Sequence, residues 1–419
     1  MVPRAAYEED FVGGSRAGRQ FAWVTAPALI KTVLLDERDK YRKLSQIRLL
    51  GPLLGKGILL AEGADWRWQR QASSPMFRRE DLLGFVPAFV RATAKLVAGW
   101  RAAPGVQPID RDMTRVTFDV ISATLLPSAD EALAPAVERS TGAFQKSISW
   151  WQLFAMANLP RWLPRPGMAA GGRSVIELRG AVAQMIRERR AMAAAPDDLM
   201  NRLMSARDPE TGQTMNDEQL IDNLLTFYLA GHETTARALA WTLFLVAQFP
   251  EWSERLCREI DSVTGGAPVE AAHVERLVLT QQVLKESMRL YPPVPLMSRQ
   301  AAADTALAGQ AIRAGTSVVM PIYAIHRHAR RWERPDEFDP ERFAPGREEA
   351  IPRYQYMPFG AGPRICIGRA FAEIEAAAIL ATLLQHARFE PVGGPPPEPV
   401  ARVTLVPRGG LPLKVTLRP

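Results

Sequence analysis

The chain has 419 residues, two cysteines and 47% hydrophobic content, so a disulfide framework cannot hold it together and it is long enough to bury a large core. Its 52 Lys and Arg against 45 Asp and Glu give a net charge of +7, but arginines alternate with glutamates, as over 187–190, which argues against a clustered nucleic-acid-binding stripe. There is no run of about 18 apolar residues and the first ten residues are acidic, which reads as a cytoplasmic chain without export signal or membrane anchor.

Helical periodicity dominates from Trp66 to Gln248. One helix opens near Asp65, a second is expected over Leu82–Trp100 after a break at Pro87, and a third over Asp112–Leu126. Ala129–Trp150 and Arg173–Met192 read as helices flanking a loop rich in Trp, Pro and Gly, which includes Trp150, Trp162, Pro164, Gly171 and Gly172. Asn216–Gln248 is the longest helical candidate; apolar residues cover most of its circumference, as in a helix buried through the middle of a fold. Glu251–Val263 and Glu275–Leu290 follow, the latter stopped by Pro292 and Pro293. Strand signals are short and confined to Gly315–Met320, Arg402–Val406 and Leu413–Leu417, while Asp336–Gly362 is irregular. With no repeat and no composition break, the pattern predicts a single domain over 1–419, mainly α with a small β region.

Cys366 closes the glycine- and proline-rich run from Pro358 to Gly368, just ahead of an alanine-rich helix. A thiolate there would be stabilised by N-terminal helix N–H groups and by Arg364. Neighbouring Cys or His at zinc-ligand spacing are lacking, and Cys257, on an amphipathic helix face, reads as a packing thiol. Phe359-x-x-Gly362-x-Arg364-x-Cys366-x-Gly368 resembles the cysteine motif of the cytochrome P-450 family of haem-thiolate monooxygenases. The resemblance implies that Cys366 ligates the iron of haem b, held between the long central helix and the cysteine-bearing loop with its helix.

Other stations carry the same resemblance in the same order. Ala230-Gly231-His232-Glu233-Thr234-Thr235 on the long helix is similar to the family's oxygen-activation motif, which implies proton delivery by Glu233 and Thr234. Gly231 would allow close approach of a flat ligand, and Thr234 can bond back to the Ala230 carbonyl; His232 is given no chemistry. Glu286 and Arg289, three apart on one helix face, together with Arg342 of Pro340-Glu341-Arg342-Phe343, resemble the family's buried structural network. Trp66 and Arg70 resemble its Trp-x-x-x-Arg helix, and with Arg299 and Arg364 they are the implied propionate partners.

The implied reaction inserts one atom of dioxygen into a C–H or C=C bond of a small apolar substrate, with a fatty acid or terpenoid favoured. The implied pocket contains Phe227, Ala230, Val294, Leu296 and the Leu49–Leu60 segment, with Arg48 and Lys56 at its margin and the 150–162 connection as entrance flap. The run Gly51-Pro52-Leu53-Leu54-Gly55-Lys56 fails P-loop spacing and no Gly-x-Gly-x-x-Gly occurs, so electrons come from a separate acidic ferredoxin or flavodoxin with its reductase, docking near Arg67, Arg369, Arg330 or Arg331. The alternatives are a peroxide-driven hydroxylase, a haem-binding sensor without turnover, and a zinc protein using His326 and His328.

Overall fold

The computed structural model describes residues 2–16, 19–43, 50–51, 53–125, 168–193, 196–208 and 210–418. The expected helix at Ala129–Trp150 and the flap at 150–162 lie outside them, as do Arg48 and Leu49. The chain divides into two compact units: Met1–Leu44, Arg79–Phe118 and Glu233–Pro419 form one, and Ser45–Arg78 with Asp119–His232 form the other.

The principal helices are α1 (Gly63–Ser73), α2 (Val86–Ala102), α3 (Ile109–Leu125), α4 (Met168–Ala191), α5 (Leu199–Ser205), α6 (Asp217–Gln248), α7 (Pro250–Thr264), α8 (Val278–Leu290) and α9 (Arg369–His386). Their ends follow local chemistry. At α6, Asn216 Oδ1 accepts from the Gln219 N–H and the Gln219 side chain accepts from the Asn216 N–H, a reciprocal cap, and no proline interrupts the helix before Pro250. Pro250 starts α7, and Gly265, at φ 61°, ends it in the left-handed region. Pro87 lies in the first turn of α2, where its missing N–H costs nothing, so it marks a helix start. The helix α4 begins at Met168 and includes Gly171 and Gly172, which the sequence placed in a loop.

The larger unit holds a five-stranded sheet in the order β1-β2-β8-β5-β3, formed by β1 (Phe11–Arg16), β2 (Arg19–Val24), β3 (Tyr41–Arg42), β5 (Met297–Ala301) and β8 (Ser317–Met320). The β2–β8 pair is parallel and the others antiparallel. Its buried face, with Ala22, Val24, Val318 and Met320, packs on Ile30, Val33, Leu34, Ile322 and Met357. The antiparallel sheet β4-β12-β9 joins β4 (Gly105–Pro108), β9 (Ala387–Pro391) and β12 (Pro412–Leu417). Two small hairpins, β6 (Thr305–Leu307) with β7 (Gln310–Ile312) and β10 (Pro399–Ala401) with β11 (Leu405–Pro407), complete the β structure among the described residues.

Apolar packing centres on α9, buried continuously from Ile374 to Leu384. Phe371 meets the Phe89 ring of α2 edge-on at 5.3 Å. The stretch Arg79–Ala102 is long and apolar enough to cross a membrane by length and composition alone; Val86, Phe89, Val97 and Trp100 are among its buried residues. On α6, Trp241 stacks on Tyr291 with centroids 4.1 Å apart and donates from Nε1 to the Leu405 carbonyl at 3.0 Å. The irregular stretch expected between Asp336 and Gly362 is built of single 3-10 turns, Pro340–Phe343 and Glu348–Ala350.

Candidate active site

The loop before α9 is shaped by its glycines. Gly360 and Gly362 have φ of 73° and 72°, and a Cβ at Gly362 would come within 2.8 Å of the Leu34 carbonyl oxygen. The loop closes where the Cys366 N–H donates to the Phe359 carbonyl at 3.0 Å. The Arg369 guanidinium, at the first turn of α9, lies 5.6 Å from the Phe359 ring centre. Cys366 is exposed, and every residue from Pro358 to Gly368, including Phe359, Ile365 and Ile367, keeps some accessible surface. Cys257, by contrast, is buried, which pushes its thiol up from the ordinary value.

Strand β5 runs beside this loop. The Met297 sulfur would meet a Cβ at Gly360 at 3.2 Å, and Arg299, two residues on and therefore on the same strand face, is buried. Its Nη1 donates to the Ser298 carbonyl at 2.8 Å. Val294 is half-buried, and Leu296 is 38% exposed.

Along α6, burial changes in the middle of the helix. Leu224–Tyr228 are buried and Ala238–Ala247 are buried, but Ala230 is exposed and Leu229, Gly231, Glu233 and Thr234 are partly accessible. A helix buried on both sides of this stretch that opens around Ala230, Gly231, Glu233 and Thr234 offers a local face to a ligand. His232 faces inward, with Nδ1 2.9 Å from the Tyr228 carbonyl oxygen. Thr404 donates to Glu233 Oε1 at 2.9 Å, and Arg237 lies 3.9 Å from the same oxygen. A Cβ at Gly231 would meet Ile121 of α3 at 3.0 Å, so close helix packing also calls for a glycine here. In the smaller unit Phe227 is buried against the Phe77 ring, with centroids 5.5 Å apart, and Trp66 and Arg70 are half-buried on α1.

Glu286, Arg289 and Arg342 come together. Arg289 donates Nε and Nη2 to the two Glu286 oxygens at 2.7 and 2.8 Å, and both side chains are fully buried. Its remaining donors reach the carbonyls of His326, Pro335 and Glu337. The Asp339 N–H donates to Glu286 at 2.9 Å, and Arg342 Nε stands 3.4 Å from the same carboxylate in an ion pair without hydrogen-bond alignment. Burial pushes the Glu286 carboxyl up, and Arg289, the Asp339 N–H and Arg342 pull against it. The cluster thus pins the irregular segment after α8, which has no sheet ladder of its own.

The zinc reading fails on geometry. His326 Nε2 accepts the Met357 N–H at 2.9 Å, and burial, aided by Arg289, pushes its pKa down to about 3. Among the described residues no group of three or more His, Cys, Asp or Glu is placed to hold a metal ion. Of the candidate docking cations, Arg331 is engaged with Asp10 and Arg369 with Glu373, while Arg67 and Arg330 are exposed.

Sequence reasoning missed four buried polar residues, Glu375, Asp222, Asn223 and Thr404. Glu375 on α9 is fully buried with a hydrogen bond to Thr235, and Oε2 has no hydrogen-bond partner; burial pushes its pKa up to about 8. An acid inside Phe-Ala-Glu-Ile-Glu-Ala-Ala-Ala was the available signal. Asp222 and Asn223 were hidden by their place in a helix read as generally apolar. Thr404 had no local signal.

A Cytochrome P450 family model matches residues 7–415. The chain belongs to the cytochrome P450 family. Among curated P450 relatives, it is similar to cyclooctat-9-en-7-ol 5-monooxygenase of Streptomyces melanosporofaciens, 34% identical over 88% of this chain and 80% of that one. A putative cytochrome P450 132 of Mycobacterium tuberculosis is 32% identical over 94% of this chain and 87% of its own. The crystal structure of the cytochrome P450DA haem domain superposes with a TM-score of 0.88 at 27% identity, covering 98% of this chain and 90% of that one. The P450 assignment makes the protein a monooxygenase, and the family implies a thiolate-ligated haem, a substrate, dioxygen and an electron-transfer partner.

Proposed function

We propose that the whole chain is one catalytic domain that binds haem b through Cys366 and oxygenates a small apolar substrate, a terpenoid or a fatty acid. The carrying observation is the eleven-residue run Pro358–Gly368, rich in apolar side chains yet nowhere buried, which presents an exposed thiol at the head of a buried helix. Bound haem supplies the activation of dioxygen that side chains cannot. Arg364, Arg299, Trp66 and Arg70 are the side chains suited to its propionates, with Phe359, Gly362, Gly368, Ala230 and Gly231 as its backbone and apolar neighbours.

Glu233 and Thr234 then carry protons. Glu233 is held by Thr404 and stays partly accessible, so its carboxylate can exchange a proton with water at Oε1 or Oε2 and pass it toward the Thr234 hydroxyl. Phe227, Val294 and Leu296 supply apolar contact to the substrate. A terpenoid is supported by relatives named for cyclooctat-9-en-7-ol and 11-oxo-beta-amyrin. Electrons come from an acidic ferredoxin or flavodoxin, for which exposed Arg67 and Arg330 offer complementary charge.

The test is spectroscopic. The reduced protein with carbon monoxide should give the strongly red-shifted Soret band of an iron-thiolate, and Cys366→Ser should abolish it. Purification without haem, or an unchanged band in the variant, would overturn the reading.

A further inference from the structure

The glycine run that fails as a phosphate loop has a different use in the structure. Leu53–Ala61 is made of successive turns: the Gly57 N–H donates to the Leu54 carbonyl at 3.0 Å and the Ala61 N–H to the Gly57 carbonyl at 2.9 Å. No strand or long helix fixes this loop, so its place depends on what its backbone bonds to.

Those partners are side chains of α6, α1 and α4. Asp222, buried to 2% exposure, accepts the Lys56 N–H at 2.7 Å and Arg179 Nη1 of α4 at 2.7 Å. Asn223, fully buried, accepts the Ile58 N–H at 2.9 Å and donates to Gln69 Oε1 of α1 at 3.0 Å. Gln69 closes the ring by donating to the Lys56 carbonyl at 3.0 Å.

The glycines make the approach possible. A Cβ at Gly55 would fall 2.2 Å from the Asp222 carboxylate oxygens, and one at Gly57 would fall 2.5 Å from Thr226 Oγ1. Gly55 also has φ 52°. Lys56, between them, keeps its side chain exposed while both of its backbone polar groups are taken.

We propose that Asp222 and Asn223 are positioning residues for substrate, which latch the Leu53–Ala61 loop onto α6 and thereby set how much apolar substrate the loop admits. The inference rests on the function proposed above, in which Phe227 faces the substrate, and on the resemblance that puts the Leu49–Leu60 segment in the same pocket. Phe227 lies one helical turn beyond Asn223 on the same face of α6, and Gln69 adjoins Arg70 on α1, so the latch ties the loop to both. Arg179 braces the latch from the solvent side: its side chain is 26% exposed, and it reaches from α4 both to Asp222 and, at 3.5 Å, to the Leu53 carbonyl.

The test compares Asp222→Asn with wild type and with Glu218→Gln, an exposed acid one turn earlier on α6. An asparagine has one acceptor oxygen for two donors and turns an amide N–H₂ toward one of them. Hydrogen exchange at the Lys56 and Ile58 amides should quicken about tenfold in Asp222→Asn and stay unchanged in Glu218→Gln. Spectral titration uses imidazole, which needs only the iron, and 1-dodecylimidazole, whose tail reads the pocket. The ratio of the two affinities should change about tenfold while imidazole itself binds as before.

Unchanged exchange, or faster exchange with an unchanged ratio, overturns the proposal. Should Asp222→Asn fail to fold, Arg179→Gln keeps the Lys56 bond and carries the same expectation at about threefold. Absence of any spectral response to imidazole in wild type refutes the haem reading and leaves exchange to judge the latch alone.

Discussion

Replacing Glu375 by glutamine separates the effect of a buried ionisable carboxyl from that of its shape. The side chain, on α9, is wholly buried, its Oε2 has no hydrogen-bond partner, and burial raises its pKa from 4.5 to about 8 despite the Thr235 hydrogen bond. The folded protein therefore keeps a proton that the unfolded chain releases as pH passes 4.5. Folding stability falls as pH rises between 4.5 and about 8, where the folded carboxyl too ionises. At 1.36 kcal/mol per pH unit, that window represents roughly 4–5 kcal/mol as an upper bound. With an unfolding entropy of about 2.1 cal/mol/K per residue, this corresponds to roughly 5 °C in Tm for a chain this long.

Glu375→Gln keeps the volume and a hydrogen bond to Thr235 but has nothing to titrate. Melting curves of the two proteins at pH 5, 6, 7 and 8 should converge at the acid end, with the variant progressively more stable toward pH 8. Parallel pH dependences would show that Glu375 is ionised in the fold, or solvated, and the argument from burial would be wrong.

Two further perturbations address the scaffold around the cysteine. Arg289→Lys keeps the charge but has three donors for the five acceptors that the guanidinium serves, Glu286 Oε1 and Oε2 and the carbonyls of His326, Pro335 and Glu337. At least two buried acceptors lose a partner, at a cost of roughly 2–6 kcal/mol. The urea midpoint should fall accordingly; an unchanged midpoint would refute the count. Gly360→Ala and Gly362→Ala both force a side chain into the left-handed region, at φ 73° and 72°, but the second also drives it to 2.8 Å from the rigid Leu34 carbonyl oxygen, whereas the first meets only the flexible Met297 thioether at 3.2 Å. Haem content per chain, measured after purification, should drop more for the first variant than for the second, and equal content would contradict the backbone argument.

The sequence was most informative where structure is local. The expected Asn216–Gln248 helix is observed as Asp217–Gln248, because an unbroken apolar periodicity with a cap residue determines its own ends. Strands were harder. The β1–β2 hairpin has Gly13 and Gly14 inside β1 and arginines at its tip, so no alternation marks it, and it is held by pairing with residues nearly 300 positions away, as Phe21 opposite Ser317 shows. Met297–Ala301 likewise becomes a strand only because β8 and β3 flank it. Among site residues, Glu286, Arg289 and Arg342 were legible as motif and meet as one cluster. The partners that orient the others were not: Thr404 at Glu233 and Leu34 at Gly362 are contacts across the chain, invisible to spacing. Asp222 and Asn223 satisfy loop amides that no periodicity reveals.

The Thr404 contact also has a meaning in time. Glu233 is made 171 residues before the hydroxyl that holds it, and Trp241 precedes the Leu405 carbonyl that takes its indole N–H by 164. At a ribosome's pace of about 5–20 residues per second, the central helix waits roughly 10–30 s for both partners. During synthesis α6 can form its turns and bury its apolar face, but its acid and its indole still bond to water. The middle of the helix, around Glu233 and Trp241, is thus among the last parts of the molecule to take its final arrangement.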